Sequence, residues 1–359
     1  MRSPNRGRRV ALGCLLTLFS LTGCDAFVYV AHVAQGQLKI QGHTEPIDDV
    51  LASDRLSDEE RQKLELIVDA TQFATEQIGL NAGNAYTTFY DTQGDPLAFN
   101  LSAARRDALV PYTWWFPIVG EVPYLGFFDE AYLHRVEQGL QNRGYDTYTY
   151  EVDAYSTLGV FEDPVRSTML RRGTLSLAET VIHELLHNTV WRQNATVFNE
   201  SLATFVGRTG AVQFLRAEFG DDSGWPELAT AYYADTDAVN AFLFELYGDL
   251  ETYFAQPLGA DELIAGREAV YQAARDRFAS EIQPALHYPE SFAGYANLPT
   301  NNAWMLGNYR YNLDLAVFQA VYAAVGEDWP AAIAVFQDAA ATEGDPFAYL
   351  RNWLADKGG

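Results

Sequence analysis

His183, Glu184 and His187 stand at positions i, i+1 and i+4 of an apolar-periodic stretch, and Glu200 follows among Phe198, Leu202, Ala203 and Phe205. Residues four apart share one face of an α-helix, so the two imidazoles point the same way. A carboxylate set into an apolar helix is costly unless a positive partner meets it. The intervening residues 188–197 are enough for a helix end and a turn. This pattern predicts a second helix packed against the first, with Glu200 brought to the two rings.

Two neutral imidazoles and a carboxylate are zinc-type ligands, and three protein ligands leave a position for water. Glu184, one residue past His183, is placed to act on such a water as a base and not to bind the ion. The expected cofactor is therefore one Zn2+ per chain, held by His183, His187 and Glu200, with Glu184 catalytic. Ser176 and Glu179 have the spacing of a capping box that would open the first helix. Thr204, one turn beyond Glu200, is a candidate partner for a ligand imidazole. His32, His43, His134 and His287 read as surface or packing residues, and Trp114-Trp115-Phe116 as core.

The N-terminus carries its own pattern. Arg2, Arg6, Arg8 and Arg9 precede an apolar run over residues 10–21, too short to span a bilayer but suited to a signal peptide. The run ends in Leu21-Thr22-Gly23-Cys24, which resembles the lipobox of bacterial lipoprotein signal peptides. The resemblance implies cleavage after residue 23 and lipidation of Cys24, with acyl chains giving a stable membrane anchor. The expected location is the bacterial cell envelope, at the periplasmic face of the inner or outer membrane. Cys14 and Cys24 are the only cysteines, so the folded body has no disulfide. A formal charge of −24 repels phosphate backbones and argues against a nucleic-acid partner.

Ser57 and Glu60 open a periodic helix that runs to Gly79, and residues 129–143 read as a helix stopped by Gly144. Strand patterns fall at 85–90, 97–101, 147–152 and 157–161. Helical periodicity then recurs near 176–190, 197–216, 237–256, 260–280, 302–325, 328–340 and 346–355. A small sheet followed by a helical body is an α+β architecture.

His183 to His187 followed by Asn199-Glu200-x-x-Ala203 resembles the glutamate-type zincins. More closely, the chain resembles a bacterial family of lipoprotein aminopeptidases. The matching stretches are Trp115-Phe116-Pro117-Ile118-Val119-Gly120, Tyr124-x-Gly126-x-Phe128-Asp129-Glu130-Ala131, Ala154-Tyr155-Ser156-Thr157-Leu158-Gly159, Asp163-Pro164 and Asn301-Asn302-Ala303. The resemblance implies a zincin-like fold and a zinc-dependent hydrolase acting on peptides. It implies a signal peptide over 1–23, a lipidated tether over 24–45 and a metallopeptidase domain over 46–359, sheet-containing to about 175 and helical from 176. It also suggests Tyr311 as an oxyanion donor, with Tyr309 as competitor, and a substrate-binding edge strand through Tyr155, Ser156 and Gly159. An aminopeptidase further needs a carboxylate for the substrate amino terminus, and Glu121, Glu151, Asp153, Glu162 and Asp163 are available. An envelope endopeptidase and a non-catalytic zinc-containing binding module are the rival readings.

Overall fold

The computed structural model describes residues 24–94, 98–116, 120–152, 163–309 and 314–357; Tyr155, Ser156, Gly159 and Tyr311 lie outside them, as does the strand expected at 157–161. The fold is mixed α+β, predominantly helical, with small sheets confined to the first half.

Helix α1 (Cys24–Gln41) occupies the stretch that the sequence suggested as a tether. Packing makes the difference. The Tyr29 hydroxyl donates to the Gly126 carbonyl at 2.9 Å and accepts from the Gly126 amide at 3.0 Å. Its ring lies 5.4 Å from Phe116 and 5.6 Å from Phe127, and Ile40 is buried with Ala98. Tyr29 and Ile40 belong to the docked face of this helix. Among the described residues no helix is long and apolar enough to cross a membrane.

Strand β3 (Ala98–Arg105) is the centre of an antiparallel sheet, flanked by β6 (Tyr124–Phe127) and β7 (Tyr145–Val152), with Leu101 opposite both Leu125 and Thr149. Helix α4 (Glu130–Asn142) covers one face, placing Leu133 and Leu140 on Leu101, Leu125 and Phe127. Its N-cap is Asp129, which accepts the Tyr132 amide. A second sheet joins β1 (Glu45–Pro46), β2 (Thr88–Tyr90) and β8 (Val165–Arg166), the last two parallel. The hairpin of β4 (Trp114–Phe116) and β5 (Gly120–Val122) stands apart from both. Trp115 is 64% exposed on it, contrary to the core placement expected from its apolar neighbours.

Helix α3 (Asp58–Phe73) has the reciprocal Ser57–Glu60 capping box that the sequence predicts, and its chain stops at Gly79 with φ +83°. It packs in one core with α5 (Thr174–His187) and α6 (Thr196–Phe219), through residues such as Leu64, Ile67, Ile182 and Leu202. Phe318 of α10 (Leu315–Ala324) and Phe336 of α11 (Trp329–Ala341) close that core against Phe198 and Phe205. A second core gathers α7 (Trp225–Phe254), α8 (Ala260–Arg277) and α9 (Asn302–Tyr309) around Phe242, Leu246, Tyr271 and Met305.

Two helical boundaries differ from expectation. The 302–325 segment is two helices, with Asp314 at φ +54° before α10, a left-handed residue that ends helical continuity and that apolar periodicity does not register. Helix α7 begins at Trp225, well before 237, where Gly224 at φ +79° and Pro226 preset a helix start.

Candidate metal centre

Helices α5 and α6 lie side by side, and the predicted residues meet between them. The Glu200 carboxylate approaches His183 Nε2 at 3.3 Å and His187 Nε2 at 3.7 Å. The two rings are 5.0 Å apart and nearly perpendicular, as an i, i+4 pair on one helix face allows. One donor atom from each residue falls within a set spanning 4.8 Å. His187 and Glu200 are buried, while His183 and Glu184 are partly open.

The charges at this centre are coupled. Burial is the strongest influence on Glu200 and disfavours its ionised form. The hydrogen bonds and charges of His183 and His187 overcome that and hold its carboxyl well below the usual range. Burial likewise acts against a charged His183, yet the Glu200 hydrogen bond and the charges of Glu184, Glu200 and Glu179 leave its pKa raised. Among the described residues no Lys or Arg pairs with Glu200; its only ion-pair partners are the two imidazoles. A buried carboxylate neutralised by histidines alone is a donor set in search of a cation. His187 Nδ1 is also buried and has no hydrogen-bond partner. The residues fit a divalent ion bound through one nitrogen of each ring and one carboxylate oxygen.

The local scaffolding differs in part from the sequence pattern. Helix α5 starts at Gly173 without a side-chain cap, and no Ser176–Glu179 capping box forms. Arg172 donates instead to Ser176 Oγ at 3.1 Å and Thr180 Oγ1 at 2.9 Å. Glu179 is thereby free to face α7, where it accepts from the Tyr233 hydroxyl at 3.1 Å, with Arg208 Nε 3.6 Å away. No hydrogen bond joins Thr204 to either ligand ring.

The supporting contacts of three residues escape a reading of the sequence. Asn199, beside Glu200, ties the inter-helix loop: it accepts the Arg192 amide at 3.0 Å and donates to the Arg192 carbonyl at 2.8 Å. The Arg192 guanidinium in turn donates to the carbonyls of Ala340 and Gly344. Gly207 lets α6 approach α5, since a Cβ there would sit 3.1 Å from the Glu179 carbonyl and 3.2 Å from His183 Cβ. Its pairing with Gly210 at helical spacing is the one signal that could have revealed this contact. Tyr86 is the third. Burial first, and then the charge of Glu184, keeps its phenol protonated, and its hydroxyl has no hydrogen-bond partner. Tyr86 has φ +58° on a loop 88 residues before α5, just outside β2 although inside the strand expected at 85–90, and no spacing pattern links it to the centre.

The other candidates separate clearly. Asp163 is buried, with its carbonyl accepting the Tyr86 amide at 2.7 Å, whereas Glu121 and Glu151 are exposed. Asp153 and Glu162 lie outside the described residues. Tyr309 stacks on Tyr247 at 4.1 Å, in the second core and not at the metal centre. His134 pairs with Glu130 and Glu137, and His287 with Asp235, in keeping with surface or packing roles. The Trp191 ring packs edge-on against His187, with ring centres 5.5 Å apart.

The sequence model of a family described as "Putative aminopeptidase" matches residues 28–344, a span that includes every residue of this centre. No curated protein and no solved structure matches the chain.

Proposed function

The chain belongs to the family described as putative aminopeptidases, and from that membership we propose a zinc-dependent hydrolase that removes residues from the amino terminus of peptides. The observation that carries this reading is the convergence of His183, His187 and Glu200 with Glu184 beside them. The two packed metal helices below a sheet-bearing first half support a zincin-like fold. The lipobox at Cys24 supports an envelope protein anchored by acyl chains.

A divalent ion held there would polarise the substrate carbonyl and bring the pKa of a water near neutrality. Glu184 takes the proton of the attacking water and passes it to the leaving amine. Gly207 lets α6 come close to His183, and the charge of Glu179 on the same helix favours the protonated ring. Tyr86 supplies a neutral phenol in the field of Glu184. Tyr311 is assigned the oxyanion, and Tyr155, Ser156 and Gly159 the substrate backbone, by strand addition.

The test is a peptide panel digested by the purified full chain with added zinc and read by mass spectrometry. Peptides with a free α-amino group are trimmed stepwise, and their acetylated forms are not. Internal cleavage of both sets would replace this reading with the endopeptidase one. Absence of any product from a zinc-loaded protein would remove the hydrolase altogether.

Metal binding should also depend on pH. His183 must shed a proton to become a ligand, and its pKa is raised. Affinity for zinc therefore climbs as pH rises toward that pKa, by about tenfold per unit for each proton displaced, and levels off above it. The metal-free protein behaves oppositely. The stability that His183 contributes is full below its unfolded pKa of about 6.5 and is lost as pH rises through the folded value. Calorimetric titration in buffers of different ionisation heat reads both the affinity and the protons released. A zinc affinity flat from acid to neutral pH would contradict a protonated His183.

A further inference from the structure

The hairpin of β4 and β5 brings Trp115 directly opposite Glu121, so both side chains stand on the same face. Both are exposed, and both line a cavity of about 520 Å³. Its flanks are Pro111 and Pro123, and its far wall is the first turn of α6, including Thr196 and Val197. Those two residues precede Glu200 by four and three positions, and helical neighbours at that spacing have Cβ atoms about 5–6 Å apart. The cavity therefore opens one helical turn from a ligand of the metal centre. A peptide bound at the centre reaches it within one or two extended residues, at about 3.3 Å each.

The cavity is held in register with the metal helices. Glu121 donates its amide to Asn194 Oδ1 at 2.9 Å, and Asn194 belongs to the loop joining α5 to α6. Gly120 is required for this closure, because it has φ +79° and a Cβ there would meet Asn194 Oδ1 at 1.7 Å. The Glu121 backbone is thus tied to the loop that precedes Glu200 through the Asn194 side chain.

The chemistry of the lining selects the occupant. An open indole face attracts a cation through its π electrons, and a carboxylate on the same face attracts it by charge. Among the described residues no Lys, Arg or His forms an ion pair with Glu121. The proline walls suit methylene groups, and the net charge of −24 draws cations toward the surface.

We propose that the Trp115–Glu121 face is a substrate subsite for a cationic group of the peptide, either its α-ammonium or a Lys or Arg side chain. It rests on the peptidase reading above and assigns one of the five carboxylates open to that role. The experiment measures peptide binding by calorimetry on the zinc-loaded Glu184→Gln chain, with and without Glu121→Gln or Trp115→Ala. Three short peptides are used: one neutral with a free amino terminus, its acetylated form, and an acetylated form carrying one arginine. Glu121→Gln weakens binding of at least one cationic peptide by about tenfold, leaves the acetylated neutral peptide unchanged, and Glu121→Asp restores part of the loss. Loss confined to the free-amine peptide identifies the α-ammonium as occupant; loss confined to the arginine peptide identifies a basic side chain. Equal affinities across all variants, or an equal loss for all three peptides, overturns the subsite. Should peptides bind with this pattern while the wild-type chain cleaves none of them, the hydrolase reading fails and the subsite stands.

Discussion

On the mechanism proposed above, Glu184→Gln is expected to lower kcat by about 10²–10⁴-fold while zinc binding and stability are retained. Glutamine has the same length and shape but cannot accept a proton, so the change removes one chemical step and little else. Glu184 is partly open and lies between the buried apolar positions of α5, so no packing is disturbed. His183, His187 and Glu200 keep their mutual contacts. Stability should change by no more than about 0.5 kcal/mol, as for a surface substitution. Steady-state kinetics, zinc stoichiometry and a thermal melt on the same preparation check all three expectations. A variant that retains most of its kcat would show that Glu184 is not the base. One that loses zinc as well would assign Glu184 to the ligand set.

Arg267→Met should destabilise the fold by about 3–5 kcal/mol, the cost typical of breaking a buried ion pair from one side. Arg267 is almost wholly buried and grips Asp146 with two hydrogen bonds, at 2.5 and 2.9 Å. It also donates to the Arg106 carbonyl at 3.1 Å. Asp146 accepts the Asn302 amide at 2.8 Å, and the Asn302 side chain donates to the Arg105 carbonyl and accepts from the Tyr271 hydroxyl. This network fastens one end of the β3–β7 sheet to α8 and α9. With methionine in place of Arg267, the Asp146 carboxylate keeps only Arg106, 3.4 Å away and itself well exposed, as a cation. Chemical denaturation measures the loss. The double variant with Asp146→Leu should be less destabilised than Arg267→Met alone, because the stranded charge is gone. A single variant within about 1 kcal/mol of wild type would mean that water reaches Asp146 and that the network is not a structural clasp.

The same network gives a physical account of Asn301-Asn302-Ala303, part of the family resemblance. Asn301 donates to the Thr147 carbonyl at 2.7 Å, and Asn302 is fully buried. These asparagines join sheet to helices and do not face the metal centre. A motif seen in sequence declares that a position matters, but not whether it matters for chemistry or for assembly.

What could be read in advance was local. Periodicity located α3, α4, α5, α6, α11 and the last helix, α12 (Pro346–Lys357), closely, because a helix face is written into residues three and four apart. Where the chain depends on a single backbone angle, as at Asp314, or on contact with a distant partner, as for α1 on Gly126, the same reading joins what is separate or leaves loose what is packed. The Ser176–Glu179 spacing is a case in which the right residues are present but Arg172 and Tyr233 compete successfully for them.

The donor set is written into local spacing: one turn of α5 carries His183, Glu184 and His187, and the apolar surroundings of Glu200 require a cationic partner. What surrounds that set depends on long-range packing. Tyr86 and the Trp115–Glu121 face come from segments far from His183–Glu200 in the chain, and nothing in local spacing encodes their approach. Helical geometry is set within a few residues, whereas the meeting of a hairpin with an inter-helix loop is set by the packing of the whole core.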